Sequence, residues 1–196
     1  MIKLVIFDLG NVIVDFKNDW FFRHLSEKTG ISEKKISAAM SGLLEKEELG
    51  RLSGSDTDRI SKERLNLKGD LGFIRYHHKS ARLNRKVLAL AIKLKKNYDV
   101  AILSNVTRRV YRDKGSEYVN MIGASAFTSY SLHLRKPDPK IYRYVLKKCD
   151  VKPNEALFID DMKENIDAAR KVGMNGIVFT DYANLLKSMK KFGISV

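Results

Sequence analysis

Leu4-Val5-Ile6-Phe7-Asp8-Leu9-Gly10-Asn11-Val12 decides the reading of this chain. An unbroken apolar run, rich in β-branched residues, meets an aspartate and then a glycine. Such a run, stopped by glycine, reads as a buried strand from Ile2 to Leu9. Asn11 to Phe16 reads as a small hairpin after it. The same pattern returns twice. Tyr98 to Leu103 is apolar and ends at Ser104-Asn105, and Ala156 to Ile159 ends at Asp160-Asp161. Ala124 to Thr128 and Gly176 to Thr180 read as further strands.

Helical patterns separate these strands. Asn84 caps a helix that buries Val87, Leu88, Ala91, Ile92 and Leu94. Val106 to about Tyr118 is helical, although Gly115 weakens it by about 1 kcal/mol relative to alanine. Asp138, with Pro139 in the first helical position, opens a helix to about Lys148. Met162 to Val172 is a helix that stops at Gly173. Asp181 caps a last helix carrying Leu185, Leu186 and Met189. Strands alternating with helices predict an α/β parallel sheet with helices on both faces.

One region breaks the alternation. From Asn18 to His78 proline is absent and amphipathic helical spacing dominates. Ser32 caps a helix with Ile36, Ala39, Met40, Leu43 and Leu44 on one face, ending at Gly50. Another helix runs from about Ser55 to Leu65. The expected organisation is an α/β core of residues 1–15 and 82–196 with an all-helical insertion over 16–81.

Composition sets the outer bounds. The chain has 196 residues, and 44% of them are hydrophobic, enough for a sizeable core. Cys149 is the single cysteine, so no internal disulfide can form, and a reducing compartment fits best. The first apolar run is too short for a signal peptide. No stretch approaches the roughly 20 apolar residues of a membrane span. A cytoplasmic protein is expected. Lys and Arg total 37 against 23 Asp and Glu, a net charge of +14. That field draws anions. The basic residues are dispersed, in short runs such as Lys147-Lys148 and Lys190-Lys191, with no aromatic-interleaved stripe. Nucleic acid is therefore not favoured as a partner over a phosphorylated metabolite or a plain solubilising surface.

The strand ends carry the chemistry. Ligands of open parallel sheets bind beyond the carboxyl ends of the strands. Asp8, Ser104 and Asp160-Asp161 all stand there, and Arg135-Lys136-Pro137-Asp138-Pro139 precedes a helix. Adjacent carboxylates at the end of a buried strand repel unless a cation or donors compensate. Each group alone has a plainer reading: Asp8 as a turn cap, Ser104-Asn105 as a common loop start, Lys136 as one lysine among many.

Taken in order, FDLGNV, LSN, RKPDP and FIDD resemble the haloacid dehalogenase-like hydrolase superfamily. The nearest likeness is to its phosphatase branch with a helical cap. The DLGNV motif is similar to that of sugar-phosphate phosphatases of the glucose-1-phosphatase type. Gly50-Arg51-Leu52-Ser53 in the insertion and Asn165-Ile166-Asp167-Ala168-Ala169 after the last motif extend the likeness over nearly the whole chain.

The resemblance implies a Rossmann-like core and an Mg²⁺-dependent phosphatase acting on a small phosphorylated metabolite. Asp8 would attack phosphorus and become an aspartyl-phosphate. Asp8, the Gly10 carbonyl and Asp161 would bind Mg²⁺, with Asp160 as a supporting or alternate ligand. Lys136 would stabilise the transferring phosphoryl group. Ser104, Asn105 and Asn11 would bind substrate. The cap would close over the site. Trp20, Phe21, Phe22, Arg23 and His24 would either face the pocket or fill the cap core, and His77-His78 would lie on the surface.

The chain departs from the family at Gly10. Most family phosphatases carry there a second aspartate that moves the leaving-group proton, a service worth about 10²–10⁴-fold. Water, Asp15 or a cap residue would have to substitute. Asn165 also replaces an acid found in many relatives. Two other readings stay open: a 2-haloacid dehalogenase, which needs no acidic pair, and a non-catalytic binding or regulatory protein that keeps the fold. The sequence leaves the oligomeric state open.

Overall fold

β1 (Leu4–Phe7) is buried along its whole length. Val5 and Phe7 join one apolar cluster, while Leu4 and Ile6 join another. Successive strand side chains point to opposite faces, so two buried faces require helices on both sides. The computed structural model describes residues 1–15, 18–72 and 81–195, with residues 18–20 described by backbone alone.

After β1 the chain forms β2 (Val14–Asp15) and enters α1 (Asn18–Thr29), α2 (Glu33–Met40), α3 (Leu43–Glu48) and α4 (Gly54–Leu65). It returns through β3 (Arg82–Leu83), which pairs antiparallel with β2. Then come α5 (Arg85–Leu94) and β4 (Asp99–Ser104). A bent helix follows: α6 (Arg108–Val110), a π-helical turn (Tyr111–Gly115) and α7 (Ser116–Ile122). β5 (Ser125–Thr128), α8 (Ser129–Leu132), α9 (Pro139–Lys148), β6 (Ala156–Asp160), α10 (Lys163–Lys171), β7 (Asn175–Val178) and α11 (Tyr182–Lys190) complete the order.

The main sheet has five strands in the order β5-β4-β1-β6-β7, each pair of neighbours parallel. The chain builds outward from β1 to β4 and β5, then crosses back to β6 and β7. The reversal opens a crevice between β1 and β6. Phe7 is in register with Ile102 on one side and Ile159 on the other. Asp8, Ser104 and Asp160 therefore emerge at one sheet edge. Residues of α5, α7 and α11 pack on one face, and residues of α9 and α10 on the other.

Local chemistry sets the helix starts. Ser32, Asn84, Asp138 and Asp181 each accept a backbone N–H from the first turn of the helix they precede. Such caps satisfy donors that the helix cannot pair internally.

Some expectations need correction. The helix expected from Ser32 to Gly50 is two helices, broken at Ser41-Gly42, where Gly42 takes a left-handed φ of 72°. Ile92 is 40% exposed, because Leu90 fills the buried stripe of α5 with Val87, Leu88, Ala91 and Leu94. β3 and α8 are too short for periodicity to reveal. His77 and His78 lie outside the described residues.

The insertion has its own apolar cluster of Phe21, Leu25, Ile36, Met40, Leu65 and Leu71. Charged groups join it to the sheet domain. Arg109 lies 2.8 Å from both Glu47 and Asp58. Arg135 lies 3.2 Å from both Glu45 and Glu48.

Gly176 marks a tight contact between β7 and α10. A Cβ added there would lie 2.7 Å from Cγ2 of Ile166. Overpacking of this kind costs about 1–3 kcal/mol. Gly176→Ala is expected to lower unfolding stability by that amount in urea titrations, with the fold retained.

Candidate active site

Three loops place the charges. Asp8 follows β1, and its own Oδ1 accepts the Leu9 N–H at 2.6 Å. Lys136 lies in the α8–α9 loop and is 1% exposed. Asp160 ends β6 and is fully buried. The Lys136 ammonium stands between the two acids, 2.9 Å from Asp8 Oδ2 and 2.7 Å from Asp160 Oδ2. Buried charges persist when they are paired and hydrogen-bonded.

The second oxygen of Asp160 is also engaged. Its Oδ1 accepts the Met162 N–H at 2.8 Å and the Asn165 side-chain amide at 2.9 Å. The backbone carbonyl of Asn165 in turn accepts the Tyr142 hydroxyl at 2.9 Å. Asp160 thus orients Lys136 from a fixed position.

Asn105 shows a job that local sequence concealed. Its amide nitrogen donates to the Lys136 carbonyl, and its amide oxygen accepts the Lys136 N–H, both at 2.9 Å. This two-point clamp fixes the lysine backbone. Ser104 is buried at the end of β4. The following loop is tied down by the Ser129 hydroxyl, which accepts the Val106 N–H at 3.1 Å and donates to its carbonyl at 3.3 Å.

Asp161 completes the acidic group. Carboxylate oxygens of Asp8, Asp160 and Asp161 lie within 4.8 Å of one another. Asn11, in a left-handed turn with φ 54°, donates its amide to Asp161 Oδ2 at 3.0 Å. Burial pushes the Asp8 carboxyl up to about 6 against the pull of Lys136. Burial also opposes the charge on Lys136, but Asp8 and Asp160 outweigh it and hold the ammonium above its usual range.

A cavity of about 300 Å³ opens on these groups. Asp8, Gly10, Asn11, Ser104, Asn105, Lys136 and Asp161 all line it. The insertion contributes Phe21, Phe22, Leu44 and Glu48. Val106, Val110 and Met162 extend the apolar wall. Burial raises the Glu48 carboxyl above its ordinary value, with Arg135 opposing the shift. Leu44, Glu48, Val110 and Met162 had no motif to reveal them; Glu48 shows only by standing before Gly50-Arg51-Leu52-Ser53. Asp15 is the exposed residue of β2 and is not part of this lining. Trp20 is the third residue of α1, and its side chain lies outside the described residues.

The strand order, the crevice and this charge arrangement define an open parallel α/β fold whose site is built on carboxylates and a lysine. Residues 2–173 match the haloacid dehalogenase-like hydrolase family, and the chain belongs to it. The D-ribitol-5-phosphate phosphatase of Bacteroides thetaiotaomicron is 28% identical over 195 residues, covering 88% of this chain and 89% of that protein. Bifunctional epoxide hydrolase 2 of Rattus norvegicus is 43% identical over 56 residues, and that match spans 29% of this chain and 10% of the relative.

Solved structures share the fold. A haloacid dehalogenase-family enzyme of Bacteroides thetaiotaomicron, in complex with magnesium and inorganic phosphate, superposes with a TM-score of 0.83 at 20% identity, covering 94% of this chain and 99% of that one. A 2-haloacid dehalogenase from Pseudomonas syringae pv. Tomato DC3000 gives a TM-score of 0.62 at 19% identity, covering 91% and 86%. The chain is a hydrolase of this family with a phosphatase relative. Among the described residues no helix is long and apolar enough to cross a membrane.

Lys136→Met would leave Asp8 and Asp160 facing each other without the cation between them. Removing one partner of a buried ion pair costs about 3–5 kcal/mol. Chemical denaturation of the variant is expected to show a loss of that size.

Proposed function

We propose that this chain hydrolyses a small phosphomonoester, with Mg²⁺ as cofactor and Asp8 as the phosphoryl acceptor. The observation that carries this reading is the Lys136 ammonium held between Asp8 and Asp160, with Asp161 completing the acidic group.

The donor set suits a small hard cation. Three carboxylates converge, and oxygen ligands are what Mg²⁺ prefers. Asp8, Asp161 and the Gly10 carbonyl would hold it, since Asp160 already holds Lys136, Met162 and Asn165. Bound there, the ion would neutralise phosphate charge and help align the ester.

The chain's own groups account for the remaining chemistry. Asp8 uses the oxygen facing the cavity to attack phosphorus. A P–O bond forms to Asp8 as the bond to the leaving alcohol breaks. Water then cleaves the aspartyl-phosphate at phosphorus, releasing phosphate and restoring Asp8. Lys136 lies within reach of the Asp8 carboxylate and offsets charge on the phosphoryl oxygens. Ser104 binds a phosphoryl oxygen. Asn105 acts through Lys136, and Asn11 acts through Asp161. The helical insertion serves as a cap over residues 16–81, with its aromatic side chains against the leaving group. The lone cysteine suits a reducing compartment, and we place the protein in the cytoplasm.

Gly10 limits this machinery, because no side chain there can protonate the departing alkoxide. Esters of acidic alcohols are therefore favoured substrates. The two alternatives are weaker. Dehalogenation has no use for three converging carboxylates, and a purely binding protein has no use for a lysine shared between two of them.

The test is a screen of polyol, alkyl and aryl phosphates, with D-ribitol 5-phosphate included. Turnover should require Mg²⁺, vanish with a chelator, and fall by at least about 10³-fold in Asp8→Asn. Metal-independent release of halide from a 2-haloacid would overturn the reading. Gly10→Asp tests the missing proton donor: turnover of a simple alkyl phosphate is expected to rise by about 10²-fold. A fall with intact folding would contradict it.

A further inference from the structure

Gly50-Arg51-Leu52-Ser53 has no part in the chemistry above, yet it lines a second cavity of about 480 Å³. The loop between α3 and α4 forms one wall. Arg108, Arg109, Arg112 and Tyr130 form the other. The same helical segment serves both cavities: Val110 lines the catalytic one, and its arginines line this one.

The charges here do not balance. Four arginines line the cavity against two carboxylates, Glu47 and Asp56. Arg109 is committed to Glu47 and Asp58. Asp56 is engaged by Ser53, which donates to it at 2.6 Å, and by Arg59 at 3.5 Å. Arg51, Arg108 and Arg112 make no ion pair with the described residues. Arg108 lies over the Tyr130 ring, 5.6 Å from its centroid, a placement that orients a guanidinium without neutralising it.

Arg51 belongs to the insertion, whereas Arg108 and Arg112 belong to the sheet domain. Like charges from two elements thus line one cleft, and together they would attract an anion entering it. The backbones of the two walls pack closely at this junction. Gly50 has a φ of +65°, and a Cβ there would lie 2.5 Å from the Tyr130 carbonyl.

We propose that this cavity is a second anion site, separate from the catalytic one. It takes a compact ligand bearing phosphoryl groups, whose oxygens pair with Arg51 from one side and with Arg108 and Arg112 from the other. Guanidinium groups match phosphate in two-point hydrogen bonding. A ligand so placed ties the insertion to the sheet domain and favours the docked arrangement. The site is therefore a regulatory one.

The probe is inorganic tripolyphosphate, titrated calorimetrically into the full chain with a chelator present and no Mg²⁺. One equivalent should bind, and binding should raise the melting temperature. Affinity should fall at least tenfold in Arg51→Gln/Arg112→Gln. It should persist in Asp8→Asn and in the surface control Lys93→Gln/Lys96→Gln. Unchanged affinity in the arginine variant would overturn the proposal and place the anion elsewhere. Equal weakening in the lysine control would overturn it in favour of a diffuse basic surface. Arg51 and Arg112 are exposed, so the variant should fold; Arg108→Gln alone, with the same expected direction, keeps the test decisive if it does not. Loss of phosphatase activity in the screen above would leave this result untouched.

Discussion

A lysine ammonium buried between two aspartates governs this molecule. Asp8 and Asp160 end neighbouring strands, so the parallel register brings two carboxylates together whether or not anything compensates them. Lys136 supplies the compensation. Each charge would be costly alone in the interior, and each becomes tolerable only in the presence of the others. The surroundings hold that triad still. Asn105 grips the lysine backbone, and Asn165 with the Met162 N–H grips Asp160. Tyr142 secures Asn165 in turn. Such a fixed set of charges is what stabilises a developing phosphoryl charge without reorganisation.

The insertion is tied to the same centre by electrostatics. Arg135 directly precedes Lys136 and pairs with Glu45 and Glu48 on α3. Movement of α3 would therefore pull on the residue beside the buried ammonium. Arg109 makes a second tie, to Glu47 and Asp58. Acids of the insertion thus face arginines of the sheet domain, even though the chain as a whole is strongly basic. The pairs of Arg109 and the Arg135–Glu48 pair are partly buried and so are less screened by salt than surface pairs.

Much of this was legible in the sequence. The apolar runs ending at Asp8, Ser104 and Asp160 declare buried strands because a doubly covered strand cannot hide its continuous apolar pattern. Helix caps were legible for a similar reason, since Asn84, Asp138 and Asp181 bond within three residues of themselves. Long-range partnerships were not. Asn105 lies 31 residues from the lysine it clamps, and Arg109 lies 62 residues from Glu47. No local periodicity encodes such pairings. The break at Gly42 was missed because the apolar spacing continues across it. The acid pair was visible as a pair, but its division of labour was not: only the fold shows Asp160 turned to Lys136 and Asp161 turned to Asn11.

Phosphoryl transfer to Asp8 is the claim on which the functional account rests. The most direct measurement is a crystal structure of the protein grown with magnesium and beryllofluoride, a mimic of a phosphoryl group on carboxylate. The account predicts beryllium bonded to an Asp8 oxygen, Lys136 beside its fluorides, and a cation shared by Asp8 and Asp161. A crevice empty of both, or beryllofluoride bound to another residue, would contradict it.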